Sequence, residues 1–154
     1  MKFASFVIAL LLAFGCNVTM LTGTVVRVAD GDTFTLLIDG NKQVRVRLYG
    51  IDCPERGQPY SRVATDHLKT LLAQGKVKVT EMDTDRYGRT VGMVYAGRVN
   101  VNESLLANGL AWHSTAFDKN PAWAKLEATA REQHLGLWKQ ANPTAPWIWR
   151  KRKR

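Results

Sequence analysis

The chain has 154 residues, 45% of them hydrophobic and 23% charged, with a formal net charge of +9 and a pI near 9.9. That length suits one domain with one core, and the composition excludes a disordered chain. The basic excess favours polyanionic partners, nucleic acid or an anionic membrane surface, and charge alone does not choose between them.

At the N-terminus, Lys2 precedes an apolar run from Phe3 to Phe14 that is short for a bilayer span but suits the apolar region of a secretory signal. Residues 1–15 therefore read as an export signal, with the small residues Ala13 and Gly15 at the cleavage site. The stretch Leu12-Ala13-Phe14-Gly15-Cys16 also resembles a degenerate bacterial lipobox, in which Cys16 would carry lipid and become the mature N-terminus. The expected location is secreted, periplasmic or cell-envelope, lipid-anchored on the second reading. Two cysteines make no disulfide framework. A Cys16 to Cys53 bridge is compatible with plain secretion and excluded by lipidation.

From Gly23 the periodicity is that of strands. Thr24 to Val28 is β-branched, Thr33 to Ile38 follows the Asp30-Gly31 turn signal, and Asp39-Gly40 leads into Gln43 to Tyr49. If Val44, Val46 and Leu48 face a core, period two places Arg45, Arg47 and Tyr49 on the opposite face. Gly50 can bend the chain there, and Asp52 and Glu55 follow beside Pro54. Pro59 to Gln74 changes to helical spacing, with Val63, His67, Leu68, Leu71 and Leu72 on one face. Lys76 to Glu81 and Thr90 to Tyr95 alternate again. Asn102 can cap a short helix ended by Gly109, and Asn120-Pro121 opens another, with Trp123, Leu126, Ala130 and Leu137 as core contacts. Five strands with a helix between the third and fourth predict an α+β, mainly β domain over residues 21–149. Its form would be a five-stranded OB-type Greek-key barrel with about three helices. Trp147 and Trp149 would dock on the barrel, and the five basic residues 150–154 read as a solvated tail.

Three segments carry acids or arginines in a pattern that needs chemistry. Asp30 to Thr33 is DGDT, Arg47 to Glu55 is RLYGIDCPE, and Asp85 to Arg89 is DRYGR. An EF-hand fails at once, because Phe34 and Thr35 stand where an acid or Asn and then Gly are required. The scattered cysteines and histidines make no zinc pattern, and no spacing supports Cys53 as a thiol nucleophile with His67 or His113.

In this order and spacing the three motifs resemble the staphylococcal nuclease family, over about Gly23 to Trp149. The resemblance implies a calcium-dependent phosphodiesterase acting on DNA and RNA, with one ion per site and products ending in 3′-phosphate and 5′-hydroxyl. It implies Arg47, Glu55 and Arg89 as catalytic residues, and Asp32, Asp52 and the Cys53 backbone carbonyl as metal ligands. On the substrate side it points to Arg86, Tyr87, Phe117 and Thr115. Here the sequence departs from the family, since Thr115 and Phe117 stand where a tyrosine pair is usual and Arg86 replaces a lysine. No protein partner is implied, and a monomer is expected.

Charge explains why these residue types belong together. Attack on a phosphodiester is opposed by its own negative charge, so a useful site supplies a cation, planar donors and a base. Two rivals come from other classes: an OB barrel that holds nucleic acid without cutting it, and an envelope-anchored protein whose basic end touches lipid or a partner.

Overall fold

The computed structural model of the chain describes residues 19–152, so the apolar start and the Cys16 readings lie outside the described residues. Three strands, β1 (Met20–Val28), β2 (Thr33–Ile38) and β3 (Lys42–Leu48), form an antiparallel meander. A two-residue strand β4 (Ile51–Asp52) and helix α1 (Ser61–Leu72) follow, then β5 (Lys76–Thr84) and β6 (Thr90–Ala96). β5 lies between β1 and β6, and β6 returns to β3 in parallel, with Val46 opposite Thr90 and Leu48 opposite Gly92. The five long strands thus close into the mixed barrel that the alternation predicts.

Inward positions fill it. Phe34, Leu36, Val46, Leu48, Val77, Val79 and Val94 are all buried, and apart from the buried Thr33 beside Phe34 their strand neighbours are exposed or half-exposed, as period two requires. One end is plugged by α1, through Ala64, Leu68 and Leu72 at i, i+4 and i+8. Val63, predicted on this face, is half exposed, because the helix is phased one residue later. His67 is half-buried, with Nε2 3.0 Å from Ser104 Oγ, and burial holds its pKa below the usual value.

After β7 (Val99–Asn100) comes α2 (Val101–Ala107), whose cap is Asn100 rather than the predicted Asn102. Asn100 Oδ1 accepts the Glu103 N–H, which leaves Asn102 inside the first turn and fully buried. There Asn102 accepts from the Val94 amide at 3.0 Å and donates to the Tyr49 carbonyl at 2.9 Å, stitching the barrel to the bend after β3. A buried amide so completely satisfied fixes geometry more than it adds stability.

The next strand, β8 (Trp112–His113), pairs with β4, and α3 (Pro121–Glu132) begins where Asn120 and Pro121 predict. Trp123 of α3 lies against Gly50, where a Cβ would come within 2.7 Å of the indole and φ is +67°. Only glycine serves at that bend. A four-residue turn (Gly136–Lys139) leads to α4 (Pro146–Arg152), so the described residues hold four helices where about three were expected. The extra one spans the Trp147 to Trp149 segment expected to dock on the barrel and carries on through residues 150–152 of the basic end, expected as a solvated tail. It folds because Trp112 gathers two aromatic rings edge-on, Trp138 at 4.5 Å and Trp147 at 5.6 Å between centroids.

Candidate active site

Asp32 is positioned by the turn between β1 and β2. Its N–H donates to Asp30 Oδ1 at 3.1 Å, an Asx turn that sequence DGDT encodes locally. Gly31 permits the turn to press on the next segment, since a Cβ there would lie 2.8 Å from Cys53 Cβ. Asp32 is buried, and its Oδ2 accepts the Cys53 N–H at 2.9 Å. Its Oδ1 accepts from Thr33 Oγ1 at 3.1 Å and from Arg47 Nη1 at 2.7 Å.

Arg47 reaches that point because β3 alternates as predicted, with Val46 and Leu48 inward and Arg47 on the other face. Its second nitrogen, Nη2, bonds Asp52 Oδ1 at 2.9 Å, so one planar guanidinium spans two buried carboxylates from different segments. Burial pushes the Asp32 carboxyl up to about 7. Arg47 opposes that rise, and the negative charges of Asp30 and Asp52 add to it. Against its own burial, Arg47 is held above the usual arginine value by Asp32 and Asp52. Arg47 alone thus does not offset what burial costs the Asp32 carboxylate.

Glu55 sits at the open side, with its side chain 37% exposed and within reach of water. Gln58 fixes its loop, accepting the Glu55 N–H at 2.7 Å and donating to the Thr144 carbonyl at 2.9 Å. Arg150 of α4 completes the cluster. It takes both oxygens of Asp52, at 3.2 and 2.7 Å, and pairs with Glu55 Oε1. Sequence reasoning missed Arg150 as part of a basic run. The available signal was helical spacing from Pro146, four residues earlier and buried, on the same face.

The structure therefore brings together four of the predicted residues, Asp32, Arg47, Asp52 and Glu55. Arg89 stands one residue before Thr90, which pairs with Val46 of β3, but its guanidinium is engaged by Asp85, Nε to Oδ2 at 2.7 Å. Asp85 also accepts the N–H groups of Tyr87 and Arg89, and these bonds hold its carboxyl below the usual range despite the opposing effect of burial. Arg86 lies over the Tyr87 ring at 4.9 Å and bonds its hydroxyl at 2.8 Å. Both are exposed, as are Thr115 and Phe117, the latter 77% exposed. Burial first, then Asp32 and Asp52, push the Cys53 thiol well above its usual value, which unsuits it for nucleophilic work.

Among the described residues no group of three or more His, Cys, Asp or Glu side chains is gathered to hold a metal ion. What the cluster offers is a pair of buried carboxylates, hard oxygen donors, in a setting where backbone carbonyls and water would supply the remaining ligands. That donor set fits a loosely coordinated divalent cation such as calcium.

The family model described as "Staphylococcal nuclease homologue" matches residues 45–140. A protein of Escherichia coli described as an uncharacterized endonuclease is 47% identical over 132 residues, covering 85% of this chain and 86% of the relative. A micrococcal nuclease of Shigella flexneri is 41% identical over 141 residues, covering 84% and 80%. The staphylococcal-like nuclease CAN1 of Arabidopsis thaliana is 46% identical over 113 residues, covering 73% of this chain and 35% of that longer protein.

Proposed function

The chain belongs to the staphylococcal nuclease family and is a nuclease, and from that premise we propose that it is a calcium-dependent phosphodiesterase. It would hydrolyse DNA and RNA with little sequence preference, leaving 3′-phosphate and 5′-hydroxyl ends. One observation carries the catalytic reading: Asp32, Arg47, Asp52 and Glu55, from separate turns and strands, converge on one another. A barrel that only held a polyanion would be weakened by three carboxylates at its binding face, so their presence favours cutting over holding.

Asp32, Asp52 and the Cys53 carbonyl would hold the cation. When bound, calcium would neutralise a non-bridging phosphate oxygen and so ease attack on the phosphodiester. Arg47, held in place by Asp32 and Asp52, would turn its remaining N–H donors to phosphate, and Arg89 would add its own from the neighbouring strand end. Glu55, the most water-accessible of the three acids, would orient or deprotonate the attacking water. On the rim, Tyr87 and Phe117 present aromatic faces to bases, with Arg86 and Thr115 beside them. Such a groove favours single-stranded or frayed substrate, since it follows one backbone and stacks unpaired bases. Residues 1–15 would export the protein, with Cys16 as the point of lipid attachment if the lipobox is used.

The test is hydrolysis of denatured and duplex DNA by the full mature chain, with calcium or with chelator, beside Glu55→Ser. Removing general-base assistance should cost about a hundred- to ten-thousandfold in kcat, with an unchanged circular dichroism spectrum. Binding without cleavage under any divalent metal would instead make this a nucleic-acid-holding barrel, and equal rates on duplex and denatured DNA would remove the single-strand preference.

A further inference from the structure

Arg150 reaches the acid cluster from far along the chain, 95 residues beyond Glu55. Its carrier, α4, is fastened to the barrel and not merely laid on it. Ala145 and Pro146 are buried, Trp147 meets Trp112 edge-on, and the Thr144 carbonyl accepts from Gln58. That same Gln58 accepts the Glu55 N–H, so one amide ties the C-terminal segment to the loop bearing Glu55. The arginine side chain is nevertheless 42% exposed, free to turn about its own torsions while the helix stays docked.

Its contacts conflict with the roles proposed for its partners. With Arg150 in place, Asp52 has Oδ1 bonded by both Arg47 and Arg150, and Oδ2 bonded by Arg150 alone. Glu55 is held by the same guanidinium. A cation approaching Asp52 meets a like charge there, and a carboxylate clamped by arginine is a poor acceptor for a water proton. Arg150 must therefore yield before the acids can act. Because α4 is anchored by buried packing, yielding means a swing of the side chain and not departure of the segment. The guanidinium then stays within its own side chain's reach of the site, where a substrate phosphate offers an acceptor that the planar fork binds as it binds carboxylate.

Building on the calcium-dependent reading above, we propose that Arg150 is a third active-site guanidinium that neutralises Asp52 and Glu55 until a divalent cation binds, then turns onto the phosphodiester. It is an exchangeable counter-ion before the cation arrives and a substrate-binding residue afterwards.

Calorimetric titration of calcium into the full mature chain without nucleic acid, for wild type, Arg150→Ala, Arg150→Lys and Asp52→Asn, tests the first half. If Arg150 covers Asp52 in about nine molecules of ten, Arg150→Ala should bind calcium about tenfold more tightly, with Arg150→Lys in between. Cleavage of denatured DNA at saturating calcium tests the second half. There Arg150→Ala should lose at least about tenfold in kcat/KM, and Arg150→Lys should recover part of it. Thermal melting checks that the variants fold, and Arg150→Lys keeps the charge should alanine loosen α4. Calcium affinity unchanged or weakened in both arginine variants overturns the proposal. Faster cleavage by Arg150→Ala also overturns it, since the arginine would then only obstruct. Asp52→Asn separates this from the underlying reading: intact calcium binding in that variant would sink the metal assignment itself. Weakened binding there, beside unchanged Arg150 variants, would sink the arginine alone.

Discussion

The acid cluster around Arg47 and the loop from Asp85 to Arg89 are both charged and both lie at strand ends, yet they are built in opposite ways. In the cluster, Asp32 and Asp52 are buried and the bonds that close it cross between distant segments, from Arg47 and the Cys53 N–H back to Asp32 and from Arg150 to Asp52 and Glu55. In the loop, Asp85 bonds only within its own five residues, and Arg86 and Tyr87 face solvent. The first arrangement is rigid at the cost of desolvated charge. The second is held by a local turn and can adapt to a passing strand. That contrast suits a site in which the reacting phosphate is gripped invariantly and the bases are met loosely.

Arg47→Lys should break the contrast most severely. An ammonium cannot span Asp32 and Asp52 as the fork does, so one of the two buried carboxylates loses its bond to this residue. Losing one such charge-assisted bond should cost about 1.5–3 kcal/mol of stability. Losing a preorganised transition-state donor should cost about a hundred- to thousandfold in kcat. Thermal melts and single-turnover kinetics read the two separately. A variant as stable and active as wild type would mean that the cluster is no more rigid than the loop.

The same contrast governs what the sequence disclosed. The barrel was legible because Val46, Leu48, Val77 and Val79 alternate with polar neighbours, and period two leaves one way to bury them. Asp32, Arg47, Asp52 and Glu55 lie in short ordered motifs, so their grouping could be anticipated. Asn102 was misplaced because two asparagines two residues apart can both begin a helix. Only the completed barrel shows that one of them is needed by Val94 and Tyr49. Arg150 was hidden for a related reason. In a run of basic residues each looks solvated, and only the burial of Pro146 and the stacking on Trp112 set the face on which the first points inward.

A smaller effect is expected from Asp85→Asn. The folded protein holds this carboxyl below its ordinary value of 3.8, so its contribution is fully present above about pH 4 and is lost as pH falls through the lowered pKa. At neutral pH the asparagine keeps an acceptor for the Tyr87 and Arg89 amides but removes the charge that orients the Arg89 guanidinium. A short surface pair of this kind is worth about 0.2–1 kcal/mol, so melting should barely move. Cleavage should fall about tenfold in kcat/KM as Arg89 loses its preset position, a modest loss of orientation. Measured against the intrinsic exchange rate at each pH, protection of the Tyr87 and Arg89 amides should fall in wild type as Asp85 protonates in acid. In the variant the two amides should show no such acid-side step. Destabilisation as large as that of Arg47→Lys would place this loop with the cluster instead of opposite it.

The smallest effect should come from Phe117→Ala, and it bears most directly on how the rim works. The backbone of Phe117 is fixed, its N–H donating to the Ser114 carbonyl at 2.9 Å and its own carbonyl accepting from Tyr49 Oη at 2.9 Å. Its ring is exposed, so truncation removes a stacking face without opening a cavity. Base stacking on an aromatic side chain is worth about 1–3 kcal/mol, and a ring that must be ordered from solvent should deliver the lower end, about a fivefold loss of affinity. The loss should fall on KM for single-stranded substrate and leave kcat and the melting temperature unchanged, because in the proposed reading the ring would touch bases and not the reacting phosphate. If kcat falls instead, Phe117 helps to set the phosphate against Glu55, and the division between a rigid chemical centre and an adaptable rim no longer holds.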